Sequence, residues 1–425
     1  VIESTQVDAA KANRLAAPQF FQVIPIQAAR QLLDAHWQPQ PNSEIIGAAD
    51  GLGRVLAADA HSPEQAPAFR KSTVDGYALR ARDTYGASQS LPAFLQVRGE
   101  LLMGEAADEA VEAGDAWQIH TGGMLPAGAD AVVMLEHSHS GVGPEIEVLR
   151  AVAPGENVIE AGEDVAADAL VLPRGHRLRP ADIGGLLAVG ICQVEVLQRP
   201  RVGILSCGDE LVAPDEALDL GQVRDINAWM LGALAARHGA LPIQLGIVPD
   251  QREEYQRMAR DGHARCDILL LSAGSSVSAR DYTRAVIDSL GAPGLLQHGL
   301  ATKPGKPTII AVCAGVPVLG LPGNPVSSLL VARQLLPHLI CAWLGQKPKE
   351  PRRMRAQLAR RVASVSGRED WLPVRLHAND EGLLAEPIFG KSNLIFTLVQ
   401  ADGLLRVPLN TGGFDAGSAI EVEIL

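Results

Sequence analysis

The feature that most constrains this chain is the alternation that begins after Arg199-Pro200. Val202-Gly203-Ile204-Leu205 reads as a buried strand, and Ile226 to His238 as a helix with Asn227 near its start and Gly239 as its stop. Leu241 to Ile247 is again a strand, Gln251 to Arg260 a helix, Asp267 to Ser272 a nearly continuous apolar strand, and Asp281 to Leu290 a helix. Thr308 to Val312 and Val316 to Leu319 follow as strands, ahead of a long helix over Val326 to Leu344. Apolar runs alternating with helices of this length predict a parallel α/β sheet.

The flanking regions have another rhythm. Ile24 to His36 has the spacing of one amphipathic helix, and the polar, Ala-rich residues 1–20 read as a frayed end. Across residues 45–165 short Val/Leu/Ile runs such as Ala131-Val132-Val133-Met134-Leu135 alternate with Gly and Pro turns, the pattern of a mainly β module. Residues 168–199 add turns and a helical stretch from Ile183 to Gly190. Lys347 to Arg353 is a charged, Pro-containing linker, and residues 354–425 return to short strands, as expected of a small all-β domain.

Bulk properties bound the function. Hydrophobic residues at 47% and charged residues at 20% are those of a folded globular protein. The net charge of −12 argues against a general nucleic-acid binder, which needs a basic face, but leaves room for a local basic pocket. Five widely spaced cysteines without a C-x-x-C read as reduced, mostly buried thiols. With no apolar run near the ~20 residues of a membrane span and no signal-peptide pattern, a cytoplasmic protein with no membrane partner is expected.

Ligands of an open α/β sheet bind beyond the carboxyl ends of its strands, and the polar clusters of this chain fall there. Ser206-Cys207-Gly208-Asp209-Glu210, Ser272-Ala273-Gly274-Ser275-Ser276-Val277-Ser278 and Leu321-Pro322-Gly323-Asn324-Pro325 each follow a strand. The second is a small-residue loop leading to a helix, a geometry that offers N–H groups to a phosphate but equally makes an ordinary polar connection. Lys303-Pro304-Gly305-Lys306-Pro307 puts two ammonium groups on a stiff loop, either a phosphate clamp or a solvated turn. The carboxylates Asp209, Glu210, Asp225, Asp250 and Asp281 are hard oxygen donors suited to Mg²⁺, though singly each also reads as a helix cap or solvated group, Asp281 and Asn227 as caps especially. In the first half, Ser72-Thr73-Val74-Asp75-Gly76-Tyr77-Ala78 is a tight turn with an acid, and His120 to Asp130 is a turn-rich loop entering a strand. The histidines have no metal-site spacing.

Together these clusters resemble one family, the molybdopterin molybdotransferases, bacterial enzymes related to the C-terminal domain of gephyrin. The resemblance runs in order from about residue 23 to 425. Residues 72–78 are similar to its S-x-M-D-G-Y-A motif, 121–136 to its T-G-A-x-x-P-x-G-A-D-A-V-V stretch, 155–158 and 162–164 to the next motif, 206–211 to S-T-G-D-E-L, 221–227 to G-x-I-x-D-x-N, 303–307 to P-G-K-P and 321–328 to L-P-G-N-P-V-S.

The resemblance implies a multi-domain α/β and β architecture. Its parts would be an extended linking domain from 20–45 plus 165–199, a β-rich inserted domain over 46–164, a parallel α/β pterin-binding domain over 200–346 and a C-terminal β-barrel over 347–425. It implies a homodimer whose active cleft lies between subunits, which would put Asp75 and Thr121 in the same site as Glu210 and Lys303. The implied reaction takes adenylated molybdopterin and molybdate with Mg²⁺ and releases AMP. Asp250 and Asp281 would serve the metal and phosphates, and Lys303 and Lys306 the anionic oxygens. Ser206, Gly208, Asp209, Glu210, Asp225, Asn227, Gly274, Ser276, Pro322, Gly323 and Asn324 would form the pterin pocket. The preceding adenylyltransferase or a recipient molybdoenzyme is the implied protein partner.

The chain departs from the family pattern at four places. Where the family reads G-G-V-S-V-G, this chain reads Ala273-Gly274-Ser275-Ser276-Val277-Ser278; Ile159 replaces Arg, Cys207 replaces Thr, and Val74 replaces Met. Side chains gained in a phosphate cradle block close approach or cost about 1 kcal/mol where φ is positive. Two alternatives to the enzyme therefore stand beside it: a divergent cofactor-binding carrier, and a scaffold of the gephyrin kind.

Overall fold

The computed structural model describes residues 22–273, 277–380 and 382–425, without the side chains of 277–281 and 379. The end expected to fray lies outside the described residues. The chain forms two compact units, one of residues up to Asn42 with Gln198–Leu425, the other Ser43–Leu197.

In the first unit a six-stranded sheet runs in the order Leu241–Val248, Arg201–Cys207, Ile268–Ala273, Val316–Pro322, Ile309–Cys313, Pro293–His298. The first four strands are parallel, as expected. The two central runs are buried almost end to end, which is why they read as continuous apolar segments rather than alternating ones. The last two strands are antiparallel, a correction to an all-parallel sheet. The cause is local: only Ala314 and Gly315 join Ile309–Cys313 to Val316–Pro322, both at positive φ (45° and 84°). A two-residue turn of that hand closes a hairpin, and it is far too short for a crossover.

Helices Asn227–Arg237 and Pro325–Trp343 pack together, as do Arg252–Arg265 and Val277–Asp288. The core includes Leu205, Val248, Leu269, Leu271, Val286 and Val318, with the ring of Tyr255 fully buried. Helix Ile26–His36 packs on Ile309–Cys313 and on Pro325–Trp343, so it belongs to this unit. Helix Pro325–Trp343 reaches the length and apolarity of a membrane span, against the expectation that none would. Its residues are mostly buried in the protein core, which accounts for an apolar surface all round.

The same unit ends in a closed five-stranded barrel: Glu369–Asn379, Gly382–Pro387, Arg353–Leu358, Ala419–Ile424 and Gly403–Val407, the last pairing back onto the first. Leu358, Val374, Ala385, Leu405, Val407 and Val422 fill it. Thr302–Lys303, from the α/β segment, adds a short parallel ladder to Glu369–Asn379.

The second unit is β-rich. Its main sheet runs Ala131–Met134, Gly76–Leu79, Asp115–Ile119, Ala93–Leu101, Glu145–Val148, Ser138–Ser140, over a core of Leu79, Leu95, Ala116, Val133, Ile146 and Val148. Gly76 is obligatory there, since a Cβ would meet the Val133 carbonyl oxygen at 1.9 Å. Two-stranded ladders join Ser43–Gly47 to Gln193–Leu197 and Ala60–His61 to Leu170–Leu172, beside helix Pro180–Ala188. Asp182, in the first turn of that helix, is buried; it accepts from the backbone and guanidinium of Arg179 and is paired with His176. The Arg179 guanidinium holds its carboxyl far below the usual carboxylate range.

Candidate functional site

The register of the three central strands brings their polar ends level. Ser206 lies beside Ser272 and Cys207 beside Ala273, while Ser272 and Ala273 face Leu321 and Pro322. Ser206 and Ser272 are buried, which is tolerable only for polar groups that find partners or serve a ligand.

Asn227 organises this rim. Its Nδ2 donates to Ser272 Oγ at 3.0 Å and to the Gly323 carbonyl at 2.8 Å, tying the helix start to two strand ends. Its Oδ1 is buried with no hydrogen-bond partner among the described residues, and the same holds for Ser206 Oγ. The capping role considered for Asn227 is not the one observed. Asp225 Oδ1 instead accepts the Ala228 N–H at 3.2 Å, while the Asp225 N–H donates to the Val212 carbonyl. Asp225 is itself buried and lines a cavity of about 320 Å³ with Val212, Ala228 and Trp229.

Beyond Arg201–Cys207, the Cys207 thiol donates to Asp250 Oδ1 at 3.2 Å, and Asp209 Oδ1 accepts the Asp250 N–H at 3.0 Å. Burial, with Asp250 beside it, pushes the Cys207 thiol well above its ordinary range, so it acts as a neutral donor. Four cysteines are buried free thiols and Cys192 is exposed, in line with the reduced thiols expected. Gly208 is buried, while Asp209 and Glu210 are exposed at the rim. Asn324 Nδ2 reaches Ser392 Oγ at 3.0 Å, anchoring the loop of Pro322 and Gly323 to the segment before the barrel's last strands.

Lys303 and Lys306 are both exposed. Lys303 is paired in register with Asp370 of the barrel, and its Nζ lies 3.8 Å from Asp370 Oδ2. Asp370 is 3% exposed and also holds Arg368 Nε at 3.0 Å. Between the lysines, Gly305 has φ +108°, and a Cβ there would lie 2.1 Å from Val331 Cγ2.

In the second unit Asp75 and Thr121 meet. Asp75 Oδ1 accepts the Thr121 N–H at 2.7 Å and its hydroxyl at 3.0 Å. The backbone N–H of Thr121, then its hydroxyl, holds the Asp75 carboxyl below its usual value.

Gly274 and Ser276 lie outside the described residues, as does the side chain of Asp281. Helix Val277–Asp288 starts one turn before Asp281, which removes the cap reading for that residue. Among the described residues no group of three or more His, Cys, Asp or Glu is placed to share a metal. Sequence reasoning missed Asp370, Arg368 and Ser392, because their relation to the loops exists only through pairing between distant segments. It also missed the Cys207–Asp250 contact.

Three family matches tile the chain. Residues 24–190 match the MoeA N-terminal region (domain I and II), 203–340 a probable molybdopterin binding domain, and 355–425 the MoeA C-terminal region (domain IV). A molybdopterin molybdenumtransferase of Haemophilus influenzae is 31% identical over 90% of this chain and 93% of its own. One from a Nostoc species is 33% identical over 90% and 89%. Among solved structures, the molybdopterin biosynthesis MoeA protein of Pyrococcus horikosii is 36% identical, with TM-score 0.81 over 95% of this chain and 99% of that one. Motif order, strand-end geometry and these matches agree: the chain belongs to the MoeA family of molybdopterin molybdenumtransferases.

Proposed function

We propose that the chain is a transferase of molybdenum cofactor biosynthesis that inserts molybdate into adenylated molybdopterin, with release of AMP. The observation that carries this is the polar rim at the strand ends. Among the described residues Ser206 Oγ and Asn227 Oδ1 are buried without partners, and Asn227 is held by Ser272 and Gly323. A hydroxyl and an amide oxygen presented this way suit a pterin edge, which carries both donors and acceptors. Glu210 and Asp225 would line the same pocket.

The chain's own contribution is positioning and charge. Lys303, braced by Asp370, would hold anionic oxygens together with Lys306. Asp250 is oriented by the Cys207 thiol and is backed by Asp209. Mg²⁺ typically binds through one or two carboxylates plus substrate phosphates, and Asp250, with Asp281 as the resemblance implies, would supply such donors. Bound there, the ion would neutralise charge on the phosphate oxygens. We further assign a homodimer with the cleft between subunits and a cytoplasmic location, and a division into linking, β-rich, α/β and barrel parts in which helix Ile26–His36 goes with the α/β part rather than with 165–199. The carrier and scaffold readings have no comparable support, since the similar proteins are named as transferases.

The test is direct. Purified protein is incubated with adenylated molybdopterin, Mg²⁺ and molybdate, and AMP is measured. AMP release coupled to active cofactor is expected, and Asp250→Ala should abolish it. Tight pterin binding without AMP release would sink the enzyme reading.

A further inference from the structure

A second cavity, of about 610 Å³, lies at the other end of the α/β segment. Helix Asn227–Arg237 carries the chain away from the strand-end rim, and its last turn, with Leu234 and Arg237, forms part of this cavity's wall. Ten helical steps of about 1.5 Å put Arg237 roughly 15 Å from Asn227. The cavity is therefore separate from the Asn227 rim, while Glu369 and Trp371 of its wall flank Asp370, the partner of Lys303, along one strand.

The charge on the wall is one-sided. It holds three acidic side chains, and each already has an arginine: Glu350 with Arg353, Glu369 with Arg406, Glu423 with Arg333. Arg30, Arg237, Lys349 and Arg352 also line it and make no ion pair with a carboxylate of the described residues. Among the described residues Arg30 donates only to Gln334, through its backbone carbonyl and side-chain oxygen. Burial acts against its charge, lowering its pKa. Four surplus cations around one concavity run against a chain whose net charge is −12. Ile26, Leu234 and Trp371 supply an apolar wall beside them. A concavity of this size, apolar on one side and with convergent charged groups on the other, has the make-up of a small-molecule site. Arginine in such a setting favours phosphate.

We propose that this cleft is a ligand site for a phosphorylated aromatic or heteroaromatic molecule of about nucleotide size. The inference does not depend on the reaction proposed above. Naphthyl phosphate is the probe, titrated calorimetrically into the full chain, with inorganic phosphate as comparison. Saturable binding is expected, at least tenfold tighter than phosphate alone. It should weaken at least tenfold in the Arg237→Glu/Arg352→Glu double variant and stay unchanged in Lys303→Ala. Because the double variant could perturb the fold, Lys349→Glu in the exposed linker is run alongside and should weaken binding at least threefold. No saturable binding at millimolar probe would overturn the proposal. So would binding that survives all the charge reversals, or binding lost in Lys303→Ala alone, which would assign the probe to the strand-end rim.

Discussion

Removing the Asn227 amide is the sharpest test of how the rim is built. Asn227→Ala deletes the donors to Ser272 Oγ and the Gly323 carbonyl. Each acceptor left unpaired in the interior costs about 1–3 kcal/mol, and the Ser272 hydroxyl can partly recover by rotating. Two effects oppose this loss. The unpartnered Oδ1 disappears with the side chain, relieving about 1 kcal/mol. Alanine is also the better helix former by roughly 0.5 kcal/mol. The balance is a destabilisation of about 2 kcal/mol, or a fall in Tm of roughly 4–8 °C for a unit of this size. Asn227→Asp separates donor from shape: it keeps the volume but points a carboxylate at a carbonyl oxygen, so it should destabilise more than alanine. Thermal and urea unfolding followed by circular dichroism measures both, with pterin affinity measured on the folded fraction. Equal stability of wild type and Asn227→Asp would refute the reasoning, because the amide donors would then tie nothing.

Asp370→Asn should raise KM for adenylated molybdopterin severalfold with a smaller change in kcat, since it frees Lys303 without touching substrate; an unchanged KM would remove Asp370 from the site's support. Gly305→Ala should cost about 3 kcal/mol or more, from strain at φ +108° plus the Val331 contact, read as lost soluble yield or lowered Tm. In the native protein Cys192 alone should react rapidly with a thiol reagent at pH 8, all five cysteines reacting after denaturation; fast labelling of Cys207 would contradict its buried, raised thiol. The depressed Asp182 carboxyl stabilises the folded state above the unfolded carboxylate pKa of about 4, and that stability is lost as pH falls toward its lower folded value. Acid unfolding of Asp182→Asn should therefore begin from lower stability and show a shallower slope than wild type.

How far the sequence carried the reading depended on range. Ser206, Ser272 and the Pro322-Gly323-Asn324 turn were found because each sits one or two residues past an apolar run, and the sheet lines those ends up. Asn227 and Asp225 both have capping side chains, and local preference alone could not tell which one caps; the strand ends claimed the Asn227 amide and left the cap to Asp225. The hairpin at Ala314-Gly315 was hidden because alanine is an unusual residue for a positive φ. Pro293–His298 was not expected as a strand because it opens with Pro and Gly, which suit only an edge. Lys303 was visible as a charge, but its brace Asp370 is 67 positions away and has no local mark.

That brace bears on exchanging parts among relatives. The family matches leave a gap between residues 340 and 355, an inviting seam for grafting one terminal barrel onto another catalytic body. The Thr302–Lys303 ladder crosses this seam, pairing a lysine from one side with an acid from the other. A chimera joined at the linker would keep Lys303 and take its partner from the donor barrel. Its barrel could fold well and its sheet could fold well, and the Lys303–Asp370 pairing would still depend on what the donor barrel carries at that position.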